Sequence, residues 1–251
     1  GMPQLRKDPS PYLLSYEHPT RVLERELIAR FTGTNPRLFV MLEHDRSIFD
    51  AEVLTKLRGL TDAIESMTLL TPTVRADFAE RWEAVSGEWG TELVALSQRD
   101  ALDIYWEDID DLRLRLEEAG RLTPELAEQL LDFERKLQPI RELTALTTTD
   151  NVLGTDGTLD VRTAIEAIPV TPDEMERLRR EILGNRLLED GLITRDELRT
   201  ALVVESAIPV LDTENLRLLN QELERIVKQA NVTEAAYLSG IPVGTSELRY
   251  A

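Results

Sequence analysis

Arg37-Leu38-Phe39-Val40-Met41-Leu42-Glu43 is the stretch from which the fold is read. Five consecutive apolar side chains between two charged ones are too few for a core helix and suit a strand, and an uninterrupted run of this kind implies a strand buried on both faces. Asp50 follows at the position of a helix cap. Beyond it, Val53, Leu54, Leu57, Leu60 and Ile64 recur at the helical period, predicting a helix from Ala51 to Met67 with one apolar face. Upstream, Asp8-Pro9-Ser10-Pro11 reads as an extended tether. Val22, Leu23, Leu27 and Ile28 mark a short amphipathic helix, so residues 1–30 form an N-terminal tether and helix.

Downstream the pattern changes to long helices. Val74, Phe78, Trp82, Val85, Trp89, Leu93 and Leu96 are three or four apart, with Gly87 and Gly90 as candidate breaks. Leu102, Tyr105, Ile109, Leu112 and Leu116 form a second apolar stripe, and Leu122, Leu126, Leu130, Phe133 and Leu137 a third. Gly120 followed by Thr123-Pro124 stops one helix and starts the next, so the last two fold back on each other. This stretch, 71–137, holds 17 acidic and 8 basic residues, a net charge of −9. It reads as an acidic helical hairpin inserted into an α+β domain made of 31–70 and 138–251.

After the hairpin, Ile140 to Thr149 alternates and is rich in Thr, which favours a strand. Thr171-Pro172-Asp173-Glu174 is a capping box with Pro at the first helical position, opening a helix to about Leu183. Signals conflict from Leu192 to Glu205. Thr194 and Glu197 fit a capping box, whereas Thr200, Val203 and Val204 supply the β-branched cluster of a strand. Asp212 caps a strongly amphipathic helix through Leu216, Leu219, Leu223, Ile226 and Val227, and Ala235 to Leu238 makes a last strand. With the helical hairpin set aside, the order is the βαββαβ of a ferredoxin-like split unit.

The 251 residues carry 47 acidic and 29 basic side chains, leaving −18, with 42% hydrophobic residues. Such a chain folds, and its charge repels nucleic-acid phosphates and anionic lipid head groups, so no nucleic-acid partner is expected. No Cys is present, which excludes disulfides, thiolate metal sites and thiol nucleophiles. The longest uncharged run, Ala235 to Ser246, is too short and too rich in Gly and Pro to span a bilayer. The start Gly1-Met2-Pro3 has no signal-peptide pattern; Gly1 reads as a tag-cleavage remnant and the chain as an excised piece.

The residues offer little chemistry. His18 and His44 lack partners at ligand spacing and read as surface or turn histidines. Gly154-Thr155-Asp156-Gly157 lacks the Lys of a phosphate loop and reads as a turn. Glu189-Asp190-Gly191-Leu192-Ile193 with Glu197 echoes a calcium loop, but Arg186 and Leu188 would occupy its first and third ligand positions, leaving too few oxygens. Asp108, Asp110 and Asp111 read as a hydrated helix face. No catalytic residue, cofactor or metal is therefore expected. Trp82, Trp89 and Trp106 lie on apolar stripes and read as core; where the stripe is incompletely covered they become a partner or substrate surface.

Several segments are similar to the large extracytoplasmic loop of resistance-nodulation-division (RND) superfamily exporters, in the branch related to mycobacterial large membrane proteins and hopanoid transporters. They are Phe31-Thr32-Gly33-Thr34-Asn35-Pro36-Arg37-Leu38-Phe39-Val40, Ile48-Phe49-Asp50 through Leu57-Arg58-Gly59-Leu60-Thr61-Asp62, Leu143-Thr144-Ala145-Leu146-Thr147-Thr148 with Gly154-Thr155-Asp156-Gly157, and Leu238-Ser239-Gly240-Ile241-Pro242-Val243. Asn185 to Glu205 resembles the family's segment in which a hairpin follows the second helix, which implies strands at 191–194 and 199–205. The stretch 71–137 departs from the family pattern.

The resemblance implies a porter domain lying between the first and second membrane helices of a proton-driven exporter, on the periplasmic side of the bacterial inner membrane. Its partners would be a hydrophobic or lipid-like substrate and the rest of the membrane domain. The competing expectation, from the residues, is a soluble interaction module that docks a protein through its acidic hairpin.

Overall fold

Strand β1 (Arg37–Glu43) forms as read, but only one of its faces is buried. Leu38, Val40 and Leu42 are fully enclosed, whereas Phe39 and Met41 are 46% and 37% exposed. Successive side chains of a strand point to opposite sides of the sheet, and here one side only is covered; the expectation of burial on both faces is corrected. The computed structural model describes residues 36–155, 158–232 and 235–240. The N-terminal tether, its helix and His18 lie outside them.

Four strands make an antiparallel sheet in the order β2-β5-β1-β6, with β2 at Ile140–Thr144, β5 at Arg199–Ser206 and β6 at Ala235–Gly240. β1 lies against β5 from Arg37↔Glu205 to Glu43↔Arg199, and against β6 from Leu38↔Gly240 to Glu43↔Ala235. Leu202 and Val204 of β5 join the inner side. Helix α1 (Ala51–Glu65) is capped by the Asp50 carboxylate, which accepts from the Glu52 and Val53 amides, and it packs on β2. The long helix at Thr213–Ala230 packs on α1 and buries Leu216, Leu219 and Leu223. Each such side chain, fully buried, contributes roughly 1.5–3 kcal/mol. The architecture is α+β.

A second ladder pairs β3 (Asp150–Thr155) with β4 (Thr158–Thr163), closing at Thr155↔Thr158. The sequence reading took this region for a turn alone. Asp156-Gly157, a two-residue hairpin signal, was the available clue.

The chain divides into two compact units, one of them Ser66–Pro139. This unit holds α2 (Pro72–Glu83), α3 (Glu88–Gln98), a 3-10 turn (Ala101–Asp103), α4 (Trp106–Glu118) and α5 (Pro124–Leu137). The Thr71 and Thr123 hydroxyls cap α2 and α5, each with Pro at the first turn. Phe78, Trp82 and Phe133 form its aromatic centre, with ring centroids 5.1–5.2 Å apart. The apolar period from Val74 to Leu96 is interrupted between Glu83 and Glu88. A side chain at Gly90 would place its Cβ 2.1 Å from the Val85 carbonyl oxygen, so only glycine lets the chain turn this tightly. Gly120, at φ +63°, ends α4 in the left-handed conformation read from the sequence, and the Arg121 amide bonds back to Leu116 O at 2.8 Å.

Two further readings are corrected. Leu102 and Tyr105 are not on a buried stripe: they are 75% and 64% exposed, because Asp100 caps a separate 3-10 turn and Ile104 is the residue turned inward. The strand expected at 191–194 reduces to one bridge, Ile193↔Thr200. Downstream of helix α6 (Pro172–Leu183), which opens with the anticipated capping box, a six-residue helix α7 (Arg186–Gly191) takes the Leu192 and Ile193 amides on its Leu188 oxygen, leaving Leu192 O and Thr194 N to bond β5. α8 is the long helix Thr213–Ala230. Glu197 caps no helix; it takes φ +60° in the turn before β5.

Candidate functional site

The outward face of the four-stranded sheet is largely apolar at its centre across β5, β1 and β6, where an open antiparallel face is ordinarily polar. β2 carries Glu142 and Thr144 on that side, opposite Glu205 and Val203. Phe39 and Met41 stand on β1. Their register partners are Val203 and Ala201 on one side, both half-buried, and Ser239 and Tyr237 on the other, with Tyr237 50% exposed. Charged pairs close the two ends of this strip. Arg37 meets Glu205 at 3.0 Å, and Arg199 meets Glu43 at 2.6 Å, each pair directly opposite across the strands. The Tyr237 hydroxyl reaches Glu43 at 3.5 Å. The centre of the strip holds no charged side chain, so it suits an apolar partner surface rather than a polar reaction.

Among the described residues, no group of three or more His, Asp or Glu side chains is placed to hold a metal ion. Glu189 pairs with Arg195 at 2.9 Å and Glu197 is bound elsewhere, so the calcium-like segment gathers no ligand set. Glu197 instead accepts from Arg179 Nε at 2.8 Å and from Ser47 Oγ at 2.8 Å, while its backbone oxygen accepts from the Ile48 amide. The Arg179 guanidinium, followed by the Ser47 hydroxyl, holds the Glu197 carboxyl below its usual range against the opposing effect of burial. This knot ties α6, the 194–199 turn and the segment between β1 and α1 together.

His44 is not the surface histidine expected. It continues the inward alternation of Leu38, Val40 and Leu42 and is 7% exposed, with its amide bonded to Leu198 O and its Nε2 without a partner. Burial pushes its pKa down; Asp45 opposes this and Lys56 adds to it. Period-two counting from Leu38 is the signal that would have placed it.

The tryptophans do not form one surface. Trp82 is fully buried, and Trp89 is half-buried with the Arg115 guanidinium 5.9 Å from its ring centroid. Trp106, at the start of α4, is 54% exposed beside exposed Leu102 and Tyr105, which the sequence reading had assigned to the core. The three aspartates nearby lie on a charged face as expected. Asp108 accepts from Arg99 at 2.9 Å, Asp110 from Arg113 at 2.9 Å and Asp111 from Arg115 at 2.8 Å. Among the described residues, no helix is long and apolar enough to cross a membrane. No family model, curated protein or solved structure matches the chain.

Proposed function

We propose that this chain is the outer porter domain of a proton-driven RND-type exporter, on the periplasmic side of the bacterial inner membrane. Its task is to form part of the path for hydrophobic or amphiphilic, lipid-like substrates; it carries no chemistry of its own, and the remainder of the transporter's membrane domain is its partner. On this reading the α+β unit is a ferredoxin-like split βαββαβ fold into which the 71–137 helices are inserted. Energy coupling belongs to carboxylates within the membrane segments, where ionisable groups are costly and mark relays.

The open apolar sheet face carries the reading. A passage for greasy cargo needs a wall of Phe39, Met41, Val203 and Tyr237 type, with its fixed charges kept at the ends. The strand order supports the split fold. β5 lies between β1 and β2, which run parallel to each other with α1 between them in sequence, and β1 lies between β5 and β6 in the same manner around α8. Two interlocked split units are what βαββαβ denotes.

Two measurements test it. The native gene is expected to encode apolar segments of about 20 residues directly before Pro3 and after Ala251. A photoreactive acyl-chain lipid should label peptides from 37–43 and 235–240, with labelling reduced several-fold by Phe39→Gln with Tyr237→Gln. Absence of apolar flanks, or labelling that ignores these substitutions, overturns the proposal.

A second reading is favoured by the exposure of Leu102, Tyr105 and Trp106: a protein–protein interaction module that works through the acidic helices. A natural stop codon near Ala251 would favour it over the first.

A further inference from the structure

Helix α4 buries one apolar side and leaves two large apolar residues, Trp106 and Leu114, exposed outside it. Ile109, Leu112 and Leu116 are buried in the helical unit. At about 100° per residue, Leu114 falls on the opposite half of the helix and Trp106 at its border, and both are 54% exposed. Glu107, Asp110, Asp111, Glu117 and Glu118 share that outward half, and no Lys or Arg falls within it. Arg113 and Arg115 lie at its two borders, where they pair with Asp110 and Asp111. Among the described residues, Glu107, Glu117, Glu118 and Asp103 of the preceding turn make no ion pair. Leu102 and Tyr105 extend the apolar strip beyond the first turn of the helix.

Large exposed apolar side chains cost solubility unless something covers them, and the surrounding charge says what does. We infer that the outward face of α4, with Leu102, Tyr105 and Trp106 at its head, docks a lysine- or arginine-rich amphipathic helix of a partner protein. Apolar anchors of such a helix would seat on Trp106 and Leu114, while its basic flanks meet Glu107, Glu117 and Glu118; this is helix-on-helix recognition with a complementary rim. A second copy of this chain, at net charge −18, would bring acid against acid. Anionic membranes and nucleic acids are repelled in the same way. The inference deepens the interaction-module reading and is independent of the exporter reading.

The test titrates the full chain into a fluorescently labelled amphipathic peptide of about 14 Leu and Lys residues, followed by anisotropy at two salt concentrations. Controls are its Glu-for-Lys counterpart and a peptide of the same composition scrambled to lose the apolar face. The Lys peptide is expected to bind at least 10-fold more tightly than either control and to shift tryptophan emission to the blue. Trp106→Ala with Leu114→Ala leaves the charge unchanged and should weaken binding 10-fold or more. Glu107→Gln with Glu117→Gln and Glu118→Gln should flatten the salt dependence. Circular dichroism confirms that these outward substitutions leave the fold intact. Equal binding to the Trp106→Ala, Leu114→Ala variant overturns the inference by reducing it to bulk charge attraction. Equal binding of the Glu peptide overturns the choice of partner while leaving the interaction module standing. If no peptide binds or disturbs the emission, both fall.

Discussion

His44 is a single side chain through which the fold senses acid. It is enclosed just beyond the end of β1 with Nε2 unpartnered, so its neutral form is the one that the fold accommodates. A histidine whose pKa is lowered by folding is protonated first in the unfolded chain, so stability is complete above about pH 6.5 and is lost as pH falls toward the folded value, below which no more is lost. Melting temperature is therefore expected to fall between pH 7 and 5.5, by about 2–4 °C for each kcal/mol lost. His44→Leu should remove that slope, and a variant that keeps it would assign the effect to other groups. The carboxyls of Glu52, Glu174, Asp196 and Glu197 are held below their usual range and titrate under this window. The Glu197 knot is of another kind: a carboxylate at φ +60° is retained because Arg179, Ser47 and the Ile48 amide together fix it.

At the scale of elements, the boundary between α2 and α3 rests on the absence of a side chain. An apolar period that would support one helix of more than twenty residues is divided because the chain at Gly90 passes against the Val85 carbonyl. Gly90→Ala cannot be accommodated without moving backbone, and a cost of about 1–3 kcal/mol is expected, read as a lower urea midpoint with an unchanged m-value. The same replacement at Gly59, which has open space around its Cβ position and sits within α1, should be neutral or stabilising by up to about 1 kcal/mol. β1 and α4 share a further property. Each buries one apolar face and leaves large apolar side chains exposed outside it, Phe39 and Met41 on β1 and Trp106 and Leu114 on α4.

At the scale of the whole molecule, the net charge of −18 repels itself in the compact state, and added salt screens that repulsion within about 8–10 Å at 0.1–0.15 M. Raising sodium chloride from 0.02 to about 0.3 M is expected to increase the melting temperature; a decrease would mean that the many surface ion pairs outweigh the self-repulsion. Much of this chain is legible from its residues. Helix α1, α5, α6 and α8 follow from apolar period and caps, since Asp50, Thr123, Thr171 and Asp212 act locally on their own helix ends. β1, β2, β5 and β6 follow from apolar and β-branched runs. What such local signals could not supply is which face of an element meets a neighbour. Phe39 and Met41 look like core by composition, Leu102 and Tyr105 by spacing, and His44 like surface by polarity, and all five are reversed in the fold. Periodicity states that a face is apolar, while burial depends on residues distant in sequence arriving to cover it, as Leu202 and Val204 do for one side of the sheet. The α+β class and the capped helix starts were thus determined by the sequence alone, because caps and periods are short-range. The end of β2 at Thr144, five residues before the strand read to Thr149, and the two uncovered surfaces were decided only by tertiary packing, because pairing and coverage are properties of the neighbours.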